Sequence, residues 1–340
     1  MPTKPARTPA RKPASRRQEA RWQREKRLQR ITIGVAAVAL LVVLAIPAYA
    51  YYDEYVKPWR EPVIKVGSTS FNMRSYVNML RYEKAEKEML GQTFDSSIDP
   101  FSALDDMKNF ELVRQAAPGK NIEATQEEIT TYIRGIVLGT LGNQAETMSE
   151  ADKDAKFKEL YPQHLKDRRI SKKNYERLIG NVLMYQEMRE IVGKDVPTVA
   201  EQVHLLVMRV DSEENVTKAT DRLNAGEDFA AVAKDLSADT QQGSEPETDA
   251  GWMPRGVMPT EVDDFAFASE PGATSGAIST KNGLYIVRVL EREQAREVEA
   301  DDRETLKDNA LDNWLVEESK RVNPKYYWNS GKYQWALDHL

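Results

Sequence analysis

Residues 251–289 read GWMPRGVMPTEVDDFAFASEPGATSGAISTKNGLYIVRV, and their punctuation sets the fold class. Glu261–Ala268 carries apolar residues at helical spacing, and Pro271–Gly276 is a turn. Asn282-Gly283 is a strong hairpin dipeptide between AIST (277–280) and the apolar run that starts at Gly283, so an antiparallel strand pair is expected there. Upstream, Gln202–Val210 (QVHLLVMRV) is an apolar run of strand length. Asp211 and Glu214 have capping-box spacing before a helix to about Asn224, closed by Gly226. Asp228–Ser237 fits a second short helix with Phe229, Val232, Ala233 and Leu236 inward, and Ala238–Gly251 is a polar loop. A few strands among several short helices make residues 201–293 an α+β domain.

Residues 60–197 have a different period. Pro62–Phe71 is a short extended piece, and Met73, Tyr76, Val77, Leu80 and Met89 then follow a helical face. Residues 91–104 are a turn-rich break, and Met107, Phe110, Leu112 and Val113 suggest a helix ending near Pro118. Thr125 and Glu128 form a second capping-box pair ahead of Ile129, Ile133, Ile136 and Val137. The clearest helix is Lys172–Val192, stopped by Gly193 and Pro197. In one dimension these stripes are equally a helix-packing core or an apolar groove for unfolded clients. Beyond the α+β domain, residues 297–340 begin with a long helix (Val298–Ser319). They end in an aromatic segment with Tyr326, Tyr327, Trp328, Tyr333 and Trp335. That segment is expected to fold back on the helical module, with a partner-binding or membrane-surface role as the alternative.

The chain has 340 residues and a net charge of -6, enough for about two domains. Residues 1–30 hold eleven basic and two acidic residues, leaving 37 basic and 52 acidic residues in the remainder. An acidic body argues against a nucleic-acid grip. The proline-rich basic tail is expected to be disordered and cytoplasmic, with a nucleic-acid arm as the runner-up. Ile31–Tyr52 then runs 22 residues without a formal charge, the length of a membrane-spanning helix. The basic flank keeps the N-terminus cytoplasmic and the main body extracytoplasmic. "AYA" at Ala48–Ala50 leaves a cleaved signal peptide as the alternative, and a buried soluble helix as a third. The absence of cysteine excludes disulfides, thiolate nucleophiles and a lipoprotein anchor. Three histidines far apart in sequence leave little room for a metal site, and no cofactor is expected.

The stretches HLLV (204–207), AGEDFAAVAKDLSAD (225–239), GWMPRGVMP (251–259), VDDFAFASEPGATSGAIST (262–280) and NGLYIVRV (282–289), in this order, resemble the parvulin family of peptidyl-prolyl isomerases. With an anchor at 31–52, a SurA_N-like helical module at 60–197 and a terminal helix, the whole chain is similar to extracytoplasmic foldases of the SurA and PrsA type. The resemblance implies a site for rotating X–Pro bonds. His204 falls on its first-strand histidine, Asp239 on its Cys/Asp position, Met258 on its proline-cup methionine and Thr280 on a threonine near its paired histidines. Its last-strand histidine falls on Tyr285, whose hydroxyl can hydrogen-bond to His204 or Thr280. Its cup aromatic falls near Val262, with Phe265 or Phe267 as substitutes and Trp252 as a wall. The implied function is isomerisation of unfolded exported polypeptides containing X–Pro bonds. The alternatives are a catalytically weak or inactive chaperone or assembly factor, and a structural subunit of a membrane complex.

Overall fold

The computed structural model describes residues 16–238 and 248–340. Asp239 lies outside the described residues. The described residues open on α1 (Arg16–Tyr51), so helix is present fifteen residues ahead of the apolar run, inside the tail expected to be disordered. Among the described residues it supplies the one helix long and apolar enough to cross a membrane, and none of its apolar window is buried. A π turn (Tyr52–Val56) joins it to α2 (Lys57–Arg60) without a loop.

A mostly helical body follows. A hairpin of β1 (Pro62–Val66) and β2 (Thr69–Asn72) leads into α3 (Met73–Met89) and α4 (Asp99–Ala116). Then come α5 (Gln126–Gly139), α6 (Asn143–Glu146), α7 (Glu150–Asp167) and α8 (Lys172–Val192). Helix α8 has the limits expected from its stripe, and α5 begins at the Thr125–Glu128 capping box, made in both directions. The break expected at 91–104 is shorter. Helix α4 already starts at Asp99, whose buried carboxylate accepts bonds from Lys87 Nζ and from the backbone N–H of Asp95. A polar residue that reads as loop is here a buried carboxylate that ties the turn before α4 to Lys87.

The end of the chain completes this body. Helix α12 (Ala300–Val322) packs on α4 and α8, and α13 (Ser330–Leu337) packs on α3. Strand β7 (Lys325–Tyr326) pairs antiparallel with β1, making a sheet of order β2-β1-β7. Trp335 meets Trp59 edge-on at 4.8 Å, and Trp328 meets Tyr76 at 4.9 Å, so these tail aromatics belong to the core. Tyr326 and Tyr327 stay exposed.

Between α8 and α12 the chain makes an antiparallel four-stranded sheet of order β4-β3-β6-β5. Its strands are β3 (Val199–Val210), β4 (Asp249–Pro254), β5 (Ile278–Thr280) and β6 (Gly283–Glu297), with helices α9 (Glu213–Asn224), α10 (Phe229–Leu236) and α11 (Thr260–Ala268). The architecture is α+β, with a helical N-terminal region, an apolar N-terminal helix and a domain built on an antiparallel sheet. The cap of α9 differs from expectation: Ser212 accepts from the Asn215 N–H, whereas Asp211 binds the Asn215 side chain.

Side chains alternate across this sheet. Leu206, Met208 and Val210 of β3, with Leu284 and Ile286 of β6, pack under α9 and α10. Val203, Leu205 and Val207, with Val287 and Val289, pack toward α11.

Candidate functional site on the sheet

The α11 face gathers most of the residues singled out from the sequence. Met258, Phe265, Ile278, Val207 and Tyr285 are half-buried and pack on one cluster with Val262 and Phe267. Phe265 projects from α11, Tyr285 opens β6, and Met258 stands in the loop that enters α11. Val262 has no exposed surface and Phe267 almost none, so both underlie the apolar surface rather than line it. The Arg255 guanidinium covers the Phe267 ring at 4.4 Å. Of the two phenylalanines of α11, Phe265 is the one that keeps exposed surface.

The Met258 loop is held from inside the domain. The buried Asp263 carboxylate accepts a 2.6 Å bond from the Gly256 N–H, while its other oxygen has no partner. Burial pushes the Asp263 carboxyl up to about 6, against the opposing pull of that N–H and of Arg255. Gly256 has φ +99°, a conformation that favours glycine.

His204 stands apart from this group. The register pairs it with Glu291 of β6, while Tyr285 pairs with Arg209. Five residues along a strand separate their positions by roughly 17 Å, so the expected Tyr285–His204 hydrogen bond is not made. His204 also lies between Val203 and Leu205, both turned to α11, and therefore faces the opposite side. There its Nε2 shares a 2.7 Å hydrogen bond with Asp249 Oδ1, and its ring stacks on Trp252 at 5.4 Å. Arg296 covers that indole at 4.5 Å. The Gly251 N–H, and then His204, hold the Asp249 carboxyl below the usual carboxylate range. Trp252 is thus part of a His204–Asp249–Arg296 group rather than a wall for Met258. Thr280 serves its hairpin: its hydroxyl donates to the Gly283 carbonyl and accepts from the Asn282 N–H.

Asp249 did not emerge from the sequence. Its local signal is the Asp-x-Gly spacing to Gly251, the pattern of an Asx turn, within a strand too short and polar to announce itself.

Residues 207–291 match the family described as Rotamase, PPIC-type PPIASE domain. A foldase protein PrsA of Caldanaerobacter subterraneus subsp. tengcongensis is 27% identical over 177 residues, covering 46% of this chain and 56% of the relative. The periplasmic chaperone PpiD of Haemophilus ducreyi is 27% identical over 185 residues, covering 51% of this chain and 28% of that protein. A solved structure of the peptidylprolyl isomerase PrsA from Bacillus anthracis is 15% identical, with a TM-score of 0.42, covering 67% of this chain and 99% of that one. The chain spans from about a quarter to just over half the length of these curated relatives. Residues 207–291 are a PPIC-type rotamase domain of the parvulin kind, carried in a chain similar to the foldases PrsA and PpiD.

Proposed function

We propose that this chain is a membrane-anchored peptidyl-prolyl cis–trans isomerase that assists the folding of exported polypeptides, with its proline cup on the α11 face. The convergence of Met258, Phe265, Ile278 and Tyr285 on one half-buried apolar surface carries the reading. Rotation about an X–Pro bond faces a barrier near 20 kcal/mol because it breaks amide resonance. The twisted amide has lost the charge separation of the planar one, so an apolar surround disfavours the ground state relative to the transition state. The cup holds the ring, and the Tyr285 hydroxyl supplies a hydrogen bond as the amide turns. His204 and Asp249 stiffen the β3–β4 edge behind the cup. No nucleophile is needed, since no bond is cleaved.

The test is catalysed exchange of a proline peptide by the full chain in detergent. Turnover should exceed the thermal rate and fall about ten- to a hundredfold in Met258→Ala and Tyr285→Phe, with a smaller loss in His204→Ala. A wild-type chain that adds nothing to the thermal rate ends the reading. The anchored topology has its own check. Protease added to intact spheroplasts should digest the body, and full protection would reverse the orientation.

A second reading, a client-holding chaperone, draws on a cavity of about 250 Å³ in the helical body. Phe71, Met79, Met107, Phe110, Ile170 and Leu178 line it, and paired methionines suit varied apolar segments. Suppression of client aggregation without turnover would favour this reading.

A further inference from the structure

We infer that α12 clamps the Met258 loop onto the helical body, and that Asn309 is a positioning residue for the proline cup. The inference rests on the isomerase reading only in what the clamp is for; the clamp itself is a matter of contacts.

Gly256 is gripped at both of its backbone groups. Its N–H goes to Asp263 inside the domain, and its carbonyl accepts a 2.6 Å bond from Asn309 Nδ2 of α12. Leu306, one helical turn before Asn309, closes over the same residue, with its Cδ2 2.9 Å from where a side chain at 256 would begin. Leu306 and Ala310 also line the junction cavity together with Pro254, Arg255 and Phe267. Residues at i, i+3 and i+4 of α12 thus form a single ridge against the loop. Met258 follows two residues later, so its position depends on where Gly256 is fixed.

The same turns of α12 are tied to the helical body on their other side. Arg189 of α8 bonds Asp308 and reaches Glu304 at 2.7 Å, and Lys307 reaches Glu190 at 2.8 Å. Each exposed ion pair is weak alone, but a network across two helices fixes their register. A displacement of α8 against α4 is therefore passed to Gly256 through one rigid element.

The experiment uses the full chain and two variants, Asn309→Ala and Asn309→Asp, the second keeping size while replacing the donor with a carboxylate. The expected result is a rise in KM for a proline peptide of about tenfold with kcat little changed, because the cup is loosened rather than removed. Asn309→Gln should recover part of the loss. Hydrogen exchange at residues 255–258 should quicken in both variants while α9 and α10 keep their protection. Unchanged exchange overturns the clamp. Faster exchange with unchanged KM overturns the positioning role. If an aggregated Asn309→Ala chain cannot be measured, Asn309→Asp decides alone. A wild-type chain without turnover removes the isomerase reading instead, and exchange then decides whether the clamp exists.

Discussion

The two faces of the four-stranded sheet are made from the same strands and finished differently. Under α9 and α10, Phe229, Val232, Ala233 and Ala219 close over Met208, Val210 and Ile286. On the α11 face the inner layer of Val203, Leu205, Val287 and Val289 is equally buried, but Met258, Phe265, Ile278 and Tyr285 stop half-way out. A face packed to interior density has no room for a client. The outer layer of the α11 face is apolar, partly exposed and drawn from α11, β5, β6 and the loop before α11, the kind of surface the proposed cup requires. The helix that closes the second face is also the one reached from outside the domain, through Gly256 and α12. The closed face serves stability, and the open face is the one on which the proposed proline cup lies.

That division predicts opposite consequences for similar truncations. Phe229 is 1% exposed, and Phe229→Ala removes a buried ring from the closed face. It should cost about 3–5 kcal/mol, read as lost hydrogen-exchange protection across β3 and β6. Met258→Ala on the open face should cost less, about 1–2 kcal/mol, since part of the side chain already meets water. Its effect should fall on proline turnover. If Met258→Ala unfolds the domain as readily as Phe229→Ala, the open face is a core and the cup is misplaced.

The closed face was legible from the sequence, and the pairing across the sheet was not. The apolar period of Asp228–Ser237 names the inward residues of α10 correctly, because burial follows local period, and the apolar run Gln202–Val210 lies within a strand as its length implies. Asn282-Gly283 likewise names its hairpin, and Thr280 pairs with Gly283. The partner of His204 is a different kind of fact. It depends on an irregularity in β6 between Val289 and Glu291, which shifts every later pair. A residue count cannot reveal that shift, which moves the partner of His204 by one residue; the distance from His204 to Tyr285 follows from the Arg209–Tyr285 register itself. Strand β4 was missed for a related reason. Gly251 and Pro254 are poor strand formers, and the strand exists because β3 offers it an edge.

The open face also carries a polar flaw that the closed face lacks, and it gives the subtlest test. Asp263 is 3% exposed, with one oxygen on the Gly256 N–H and the other without a partner. Its folded pKa, about 6, lies above the unfolded value near 3.8. The neutral acid is therefore the form the fold prefers. The corresponding stability is fully present below the unfolded value and is lost as pH rises through about 6. A shift of this size corresponds to about 2–3 kcal/mol at neutral pH. Asp263→Asn keeps an acceptor for Gly256 and never ionises, so it should match the wild type near pH 4 and exceed it at pH 8. Other carboxylates titrate in both proteins and cancel in the difference. The measurement is the opening free energy of α11 amides at both pH values in the two chains. A difference that does not grow with pH would mean that Asp263 is solvated in solution, and the open face would then admit water down to its helix as well as clients at its surface.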